Sequence, residues 1–293
     1  MSEKPIATQE RSTQEQLQAE LIDGFSKDDD EFEEWKTHFI ETRLATLETD
    51  SRTQEFDVFT GSTDQFFSPT AEVKPLFSGR GFLMDDDSIY HGLIDTLREF
   101  YLGNEQFRDL AGFRQLSIYG VQFGLQRYFG NTKPSVGDQA SREERLWKSG
   151  VLSSDDSPAS DARSIAENKS EAMCAERAAV SHNMLKFLGW GSTYYTGKLS
   201  IDETDADLHA FVIYKKPNGE QNIYDSMNPE IIVNPEGKVV SVKPSIYPGG
   251  NEILSGNPVV ARHPKYELKD GEYTETSSQV YRYFNNPLIA MRA

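Results

Sequence analysis

The hydrophobic period of this chain changes at Leu188-Gly189. Ahead of that point apolar residues recur at helical spacing, and behind it they alternate. In "DDDEFEEWKTHFIETRLATLE", Phe32, Trp35, Phe39, Ile40 and Leu44 share one helix face, and the acidic first turn suits the helix dipole. "DDDSIYHGLIDTLREFYLG" places Ile89, Leu93, Ile94, Leu97, Phe100 and Tyr101 in one stripe, and "NEQFRDLAGFRQLSIYGVQFGLQRYFG" reads as a further helix. From Cys174 the pattern is helical through Leu188, with Gly189 as the stop. "STYYTGKLS", "LHAFVIYKK" and "EQNIYDS" then read as strands, the last two joined by the turn signal "PNG". "GKVVSVKP", "NPVVARH" and "SQVYRYFNNPL" add more β-like pieces. Helices followed by strands predict an α+β fold, with helices packed on an antiparallel sheet.

The divisions follow composition. Residues 1–55 are polar and partly helical, with a Ser/Thr/Gln-rich start expected to be loose. Residues 56–87 are a loop-rich linker, and 88–293 form the main domain. Within it, "SGVLSSDDSPASDARS" (149–164) is low in apolar residues after Val151 and Leu152, and is expected to be a mobile loop gating the cleft. A formal charge of −17, from 47 acidic and 30 basic residues, repels phosphate backbones, so nucleic acid is a poor partner. No apolar run reaches the ~20 residues of a membrane span, and "MSEKPIATQERSTQEQ" lacks the apolar core of a secretory signal. A cytoplasmic location, or secretion without a cleaved signal, is expected. A single cysteine excludes an internal disulfide, and no Cys/His cluster has zinc spacing. No metal and no cofactor are expected. The acid runs at 28–30 and 85–87 lack a calcium-loop pattern.

That cysteine, Cys174, lies where the polar stretch "EAMCAER" becomes the apolar helix. A thiol attacks carbonyls as a thiolate, so it needs an imidazole beside it, and a helix N-terminus favours the anion. His209 in "LHAFVIY" and Asp225 in "IYDSMNP" lie on the two strands of the expected hairpin, which brings an imidazole next to a carboxylate. Each residue alone has a blander role: a small core hydrophobe, a core histidine, a turn-former. Glu176 and Arg177 read as an ion pair facing solvent or a neighbouring helix. His38 and His91 read as half-exposed helix residues. His182 points about 80° from Cys174 around the helix, and His263 follows an arginine in an expected loop.

Taken in order, Cys174, Leu188-Gly189, Gly197, "HAFV" and "YDSMNP" resemble the transglutaminase-like superfamily of papain-related thiol enzymes. The match runs from about 171 to 229. Phe211 stands where the family usually has Trp, Ser226 where it has Pro, Ala172 where it has Gly, and Ile213 where it has Glu. The resemblance implies a papain-like core and a Cys174-His209-Asp225 triad acting on amide bonds of a protein or peptide, as a protease, glutamine deamidase or transglutaminase. It also fits a bacterial effector or toxin. "CAERA" is similar to the "CGEWA" of peptide N-glycanases, whose zinc-binding cysteines this chain lacks. An arylamine N-acetyltransferase has the same residue order, but its Arg-Gly-Gly before the Cys is missing. A non-catalytic binding domain of the same fold is the reading from another class. Trp147 is the candidate second oxyanion donor, with packing as its plainer role.

Overall fold

The computed structural model of the chain describes residues 6–50, 56–57, 61–69, 72–74, 82–107, 110–130, 163–167, 169, 172–216 and 218–286. Six α-helices are present among them: α1 (Ile6–Phe25), α2 (Asp29–Asp50), α3 (Ser88–Gly103), α4 (Leu110–Phe129), α5 (Cys174–Phe187) and α6 (Gly250–Leu254). Five two- or three-residue strands, β1 (Phe56–Asp57), β2 (Ser62–Thr63), β3 (Glu72–Lys74), β4 (Phe82–Leu83) and β5 (Arg163–Ser164), precede the main sheet. The main sheet is built from β6 (Gly191–Ile201), β7 (Asp207–Lys215), β8 (Gln221–Val233), β9 (Val239–Pro248), β10 (Val259–Lys269) and β11 (Glu272–Asn285), with β2 of the short strands added as a seventh by pairing with β6. The fold is α+β, with five of the six described helices ahead of β6–β11 and the short α6 between β9 and β10.

The start of the chain corrects one expectation. From Ile6 it is a helix, where a loose segment was expected. Leu17, Leu21 and Phe25 recur every four residues and are buried, and that stripe holds α1 in place despite its polar first half. On α2, Phe32, Phe39, Ile40 and Leu44 are buried as their spacing predicts, with Trp35 partly so. Both helices share one core with α3, α4 and α5. Gly120 lets α4 approach α3 closely, because a Cβ there would stand 2.4 Å from a methyl of Leu97.

Helix α5 lies between the helical layer and the sheet, and nearly every residue from Glu176 to Phe187 is buried. Its end is built by local sequence. Gly189 adopts φ +80°. Its N–H bonds to Lys186 O, and the N–H of Trp190 bonds to Leu185 O, which closes the helix in a Schellman turn. Arg43 of α2 donates from Nε to Phe187 O and from Nη2 to Lys186 O, placing a cation at the negative end of the dipole.

The main sheet has the order β10-β11-β6-β7-β8-β9, with antiparallel neighbours throughout. It closes on itself: Tyr266 and Glu267 of β10 pair in parallel with Ile232 and Val233 of β8, giving a barrel-like arrangement. One face of β7, with Ala210, Val212 and Tyr214, packs on the helical core. The alternate residues, Phe211 and Ile213, join Tyr195, Ile223, Tyr247, Tyr281 and Tyr283 in a second core on the other face. The period-2 pattern thus reads out two interiors.

The loop expected to gate the cleft, 149–164, lies outside the described residues except for its last two, which form β5. Trp147 lies outside them as well. No described helix is long and apolar enough to cross a membrane.

Candidate functional site

Cys174 is the first residue of α5 and is partly exposed. The preceding residue, Met173, is extended, and its N–H is accepted by Glu176 Oε2 at 3.0 Å. The carboxylate one turn in thus reaches back to the N-cap, as in a capping box. Of the two surroundings expected for Glu176 and Arg177, solvent is not the one observed, and Arg177 faces the neighbouring helix α4. Both are buried, and neither faces solvent. Arg177 lies over the Phe129 ring of α4 at 5.0 Å and donates from Nε to Ala172 O at 3.4 Å.

His209 is the third residue of β7, opposite Gly197 of β6. A Cβ on Gly197 would stand 2.3 Å from the carbonyl oxygen of Phe284 and 3.1 Å from the Phe211 ring, so only glycine fits there. Phe211 in turn stacks beneath His209, with centroids 6.2 Å apart and planes 29° apart. Nε2 of His209 meets Asp225 Oδ2 at 2.9 Å. Cys174 lies beside the same ring, close enough to help raise its pKa, and Nδ1 is the ring nitrogen that Asp225 leaves open. The structure therefore brings together the three residues singled out in the sequence, with the imidazole between thiol and carboxylate.

The carboxylate is held by more than the histidine. Asp225 is fully buried, and its Oδ2 also accepts from Asn228 Nδ2 and from the Tyr283 hydroxyl, both at 2.9 Å. Its Oδ1 accepts the N–H groups of Met227 and Asn228. These last two bonds need a bulge. Asp225 pairs with Ser245 and Glu230 with Lys243, so five steps along β8 face two along β9. The extra chain folds back onto the carboxylate, so Asp225 is a turn-former as well as the imidazole's partner. The bulge is pinned from outside by Ser245 Oγ, which donates to Asn228 O, and by Ser181 Oγ, 3.3 Å from Ser226 Oγ.

Burial alone would lower the pKa of His209. The Asp225 charge and hydrogen bond, with Cys174 beside the ring, reverse this and raise it to about 10. Burial likewise works against the Asp225 anion, but His209, Asn228 and Tyr283 lower its pKa to about 2. The pair is an imidazolium and a carboxylate at neutral pH.

The other histidines differ. His182 is fully buried on α5. Its Nε2–H donates to Gln65 O at 2.8 Å and its Nδ1 accepts from Ser192 Oγ at 2.9 Å, so both nitrogens are satisfied away from Cys174. Burial drops its pKa to about 3. His263, expected in a loop, is instead a buried residue of β10. It stacks on Tyr281 at 4.3 Å, and its Nδ1 is 2.6 Å from the Tyr247 hydroxyl. "NPVVARH" read as a strand, but nothing local in it marks the inward turn of the imidazole. Tyr283, Asn228 and Ser245 were also missed as supports. Of these, Asn228 alone carried a local signal, lying three residues after Asp225 in a turn-like stretch. Among the described residues, no three His, Cys, Asp or Glu side chains are grouped to hold a metal ion.

Comparison of the chain with protein-family models, with curated proteins and with solved structures returns no match.

Proposed function

We propose that this protein is a thiol-dependent acyl-transfer enzyme acting on amide bonds of a protein or peptide, with a papain-like core of the transglutaminase-like type. The observation that carries the reading is the placement of His209, hydrogen-bonded to Asp225 and with Cys174 beside its ring, where Cys174 opens a buried helix.

In this mechanism His209 holds the proton given up by Cys174, the sulfur adds as a thiolate to the amide carbon, and the oxyanion forms beside the N–H groups at the start of α5. His209, as imidazolium, gives a proton to the leaving amine, and the amine departs as the thioester forms. Water or a second amine, deprotonated by the now neutral His209, attacks the thioester and expels the Cys174 thiolate, leaving His209 again as imidazolium. Asp225 fixes the ring with Nδ1 toward sulfur and stabilises its charge without transferring a proton. Cys174 and His209 are the catalytic residues, and Asp225 is a positioning residue. No cofactor has a step in this scheme.

Iodoacetamide tests the nucleophile. Cys174 is expected to alkylate rapidly near neutral pH, and His209→Ala to slow the reaction. Intact-mass measurement of candidate protein substrates then separates the outcomes. A gain of about 1 Da marks deamidation, a loss of about 17 Da crosslinking, and fragments proteolysis. A thiol that alkylates no faster than a free cysteine overturns the reading.

A further inference from the structure

Beside the trio is a cavity of about 400 Å³, bounded by the C-terminal part of α4, the first turn of α5, the Ser226–Pro229 bulge and the β10–β11 hairpin. Cys174, His209 and Asp225 are not among its described lining residues, so it is a separate space. Three polar side chains in its wall are almost wholly buried: Gln122 and Tyr281 at 1% exposure and Asn228 at 5%. Each keeps one polar atom without a hydrogen bond among the described residues.

The bonds these side chains do make fix which atom is left. Asn228 Nδ2 donates to Asp225 Oδ2, and a carboxylate only accepts, so the amide cannot be turned round and Oδ1 is an open acceptor. Gln122 Oε1 accepts from the Tyr224 hydroxyl at 2.8 Å. That hydroxyl makes no other hydrogen bond among the described residues, so Oε1 stays toward its proton and Nε2 is an open donor. The Tyr281 ring stacks on His263, but its hydroxyl has no hydrogen-bond partner among the described residues and can act either way. Among the described residues, the buried side-chain atoms that lack a partner and are also sealed from open space belong to Gln14, Gln18, Arg98 and Arg114. The open atoms of Gln122, Asn228 and Tyr281 are therefore not sealed, and the open space that their residues line is the cavity.

Such a wall selects a ligand by its hydrogen-bonding pattern, because each buried polar atom left unpaired costs free energy. A carboxylate would set an acceptor against Asn228 Oδ1, and an ammonium would set donors against Gln122 Nε2. A primary carboxamide carries an acceptor oxygen and two N–H donors in one plane, so it can pair with all three groups at once. The buried cation of the wall, Arg177, calls for no anion, since the Glu176 charge acts on it and it has further partners. Ile231 and Val242 give part of the wall an apolar character suited to a methylene stem.

We propose that this cavity binds a primary carboxamide on a short methylene stem, as on a glutamine side chain, with its oxygen on Gln122 Nε2 and its N–H groups on Asn228 Oδ1 and the Tyr281 hydroxyl. The site stands on the cavity alone and does not need Cys174 to be a nucleophile. A peptide side chain and a free small amide both offer this group, and the test separates them.

The full chain carrying Cys174→Ala, which binds without turnover, is titrated with N-acetylglutamine methylamide, with its glutamate and methionine counterparts, and with butyramide, and binding is followed by protein NMR. The glutamine compound is expected to bind at least about tenfold tighter than the glutamate and methionine compounds. Tyr281→Phe, which breaks no hydrogen bond within the described protein, is expected to weaken glutamine binding about fivefold and to leave the methionine compound unchanged. Gln122→Met is expected to remove most of the preference. Equal affinities of the three amino-acid compounds overturn the proposal. So does an unchanged preference in Tyr281→Phe, a reading that stands even if Gln122→Met, which strands the Tyr224 hydroxyl, fails to fold. No saturable binding of either amide overturns it too, and leaves a cavity that holds water only. Methyl glucoside is titrated in parallel, and tighter binding than the glutamine compound would assign the cavity to a carbohydrate and sink the carboxamide. Butyramide binding as tightly as the glutamine compound identifies a free small amide as the ligand, and weaker binding identifies a peptide side chain; both support the carboxamide site.

Discussion

The two cores of this molecule treat a buried histidine in opposite ways. In the helical core, the buried His182 hydrogen-bonds only neutral groups, Gln65 O and Ser192 Oγ, and the charge acting on it is the like charge of Lys186, so burial wins and the ring is neutral. In the barrel, His209 is as deeply placed, but a carboxylate with four further donors lies against it, so the charged form wins. Depth is similar, and the nearest charge decides. A polar group is tolerated in either core only because its partners are complete, and the barrel adds a fixed charge to that requirement.

The largest expected effects come from breaking the charged arrangement. On any amide substrate the enzyme turns over, His209→Ala is expected to lower turnover about 10⁴-fold or more, similar to Cys174→Ala. Asp225→Asn is expected to lower it less, about 10²-fold, because orientation and charge support are lost but the base remains. The same change removes the cause of the raised His209 pKa, and an NMR titration of the ring should show it falling from about 10. Asp225→Ala leaves a buried imidazole and four other donors without their acceptor, and is expected to cost about 3–5 kcal/mol of stability in urea unfolding. A full-strength enzyme with Ala at 225 would mean that His209 does not depend on it.

Opposite pH dependences sharpen the comparison. His209 has a folded pKa above its unfolded value. Its contribution to stability is complete below about 6.5 and is lost as pH rises through about 10. His182 has a folded pKa below its unfolded value. Its burial is tolerated above about 6.5 and costs progressively more stability as pH falls toward about 3. Asp225 contributes above about 3.8 and loses its effect as pH falls through about 2. Urea midpoints measured across this range are expected to show that His209→Gln flattens the alkaline limb, while His182→Gln flattens the acid limb between about 6.5 and 3. Because His209 also lowers the Asp225 pKa, the discriminating window is from about pH 6.5 to about 4: a His209→Gln variant that flattens the curve there would contradict the separation of the two sites.

Smaller effects probe the frame. Gly197→Ala drives a methyl into the Phe284 carbonyl and is expected to cost about 1–3 kcal/mol, with slower alkylation of Cys174 because His209, directly opposite, shifts with the strand. Smallest is Glu176→Ala. It removes the acceptor for the Met173 N–H and is expected to cost about 1 kcal/mol in thermal unfolding, with a modest fall in alkylation rate as the first turn of α5 loosens.

What the sequence determined by itself was local. The change of period at Gly189 sets where helices end and strands begin, because side-chain periodicity is fixed by backbone geometry over a few residues. Gly189 at φ +80°, the turn before Gly219, the start of α5 at Cys174 and the fold-back of Asp225 on Met227 and Asn228 all involve neighbours within about five positions. The hairpin carrying His209 and Asp225 is of the same kind, and so the candidate trio was legible. The helix over the Gln-rich start was misjudged because its apolar stripe begins only at Leu17, beyond the polar stretch that set the expectation. The tertiary structure alone decided everything that rests on strand order. Tyr283 reaches Asp225 from 58 residues away because β11 lies next to β6. His263 faces inward because β10 closes the barrel against β8, and Arg177 is buried because α4 brings Phe129 onto it. Register and packing between distant segments leave no mark in any short stretch of sequence, since the same local pattern satisfies many pairings and only the complete set of buried contacts selects one.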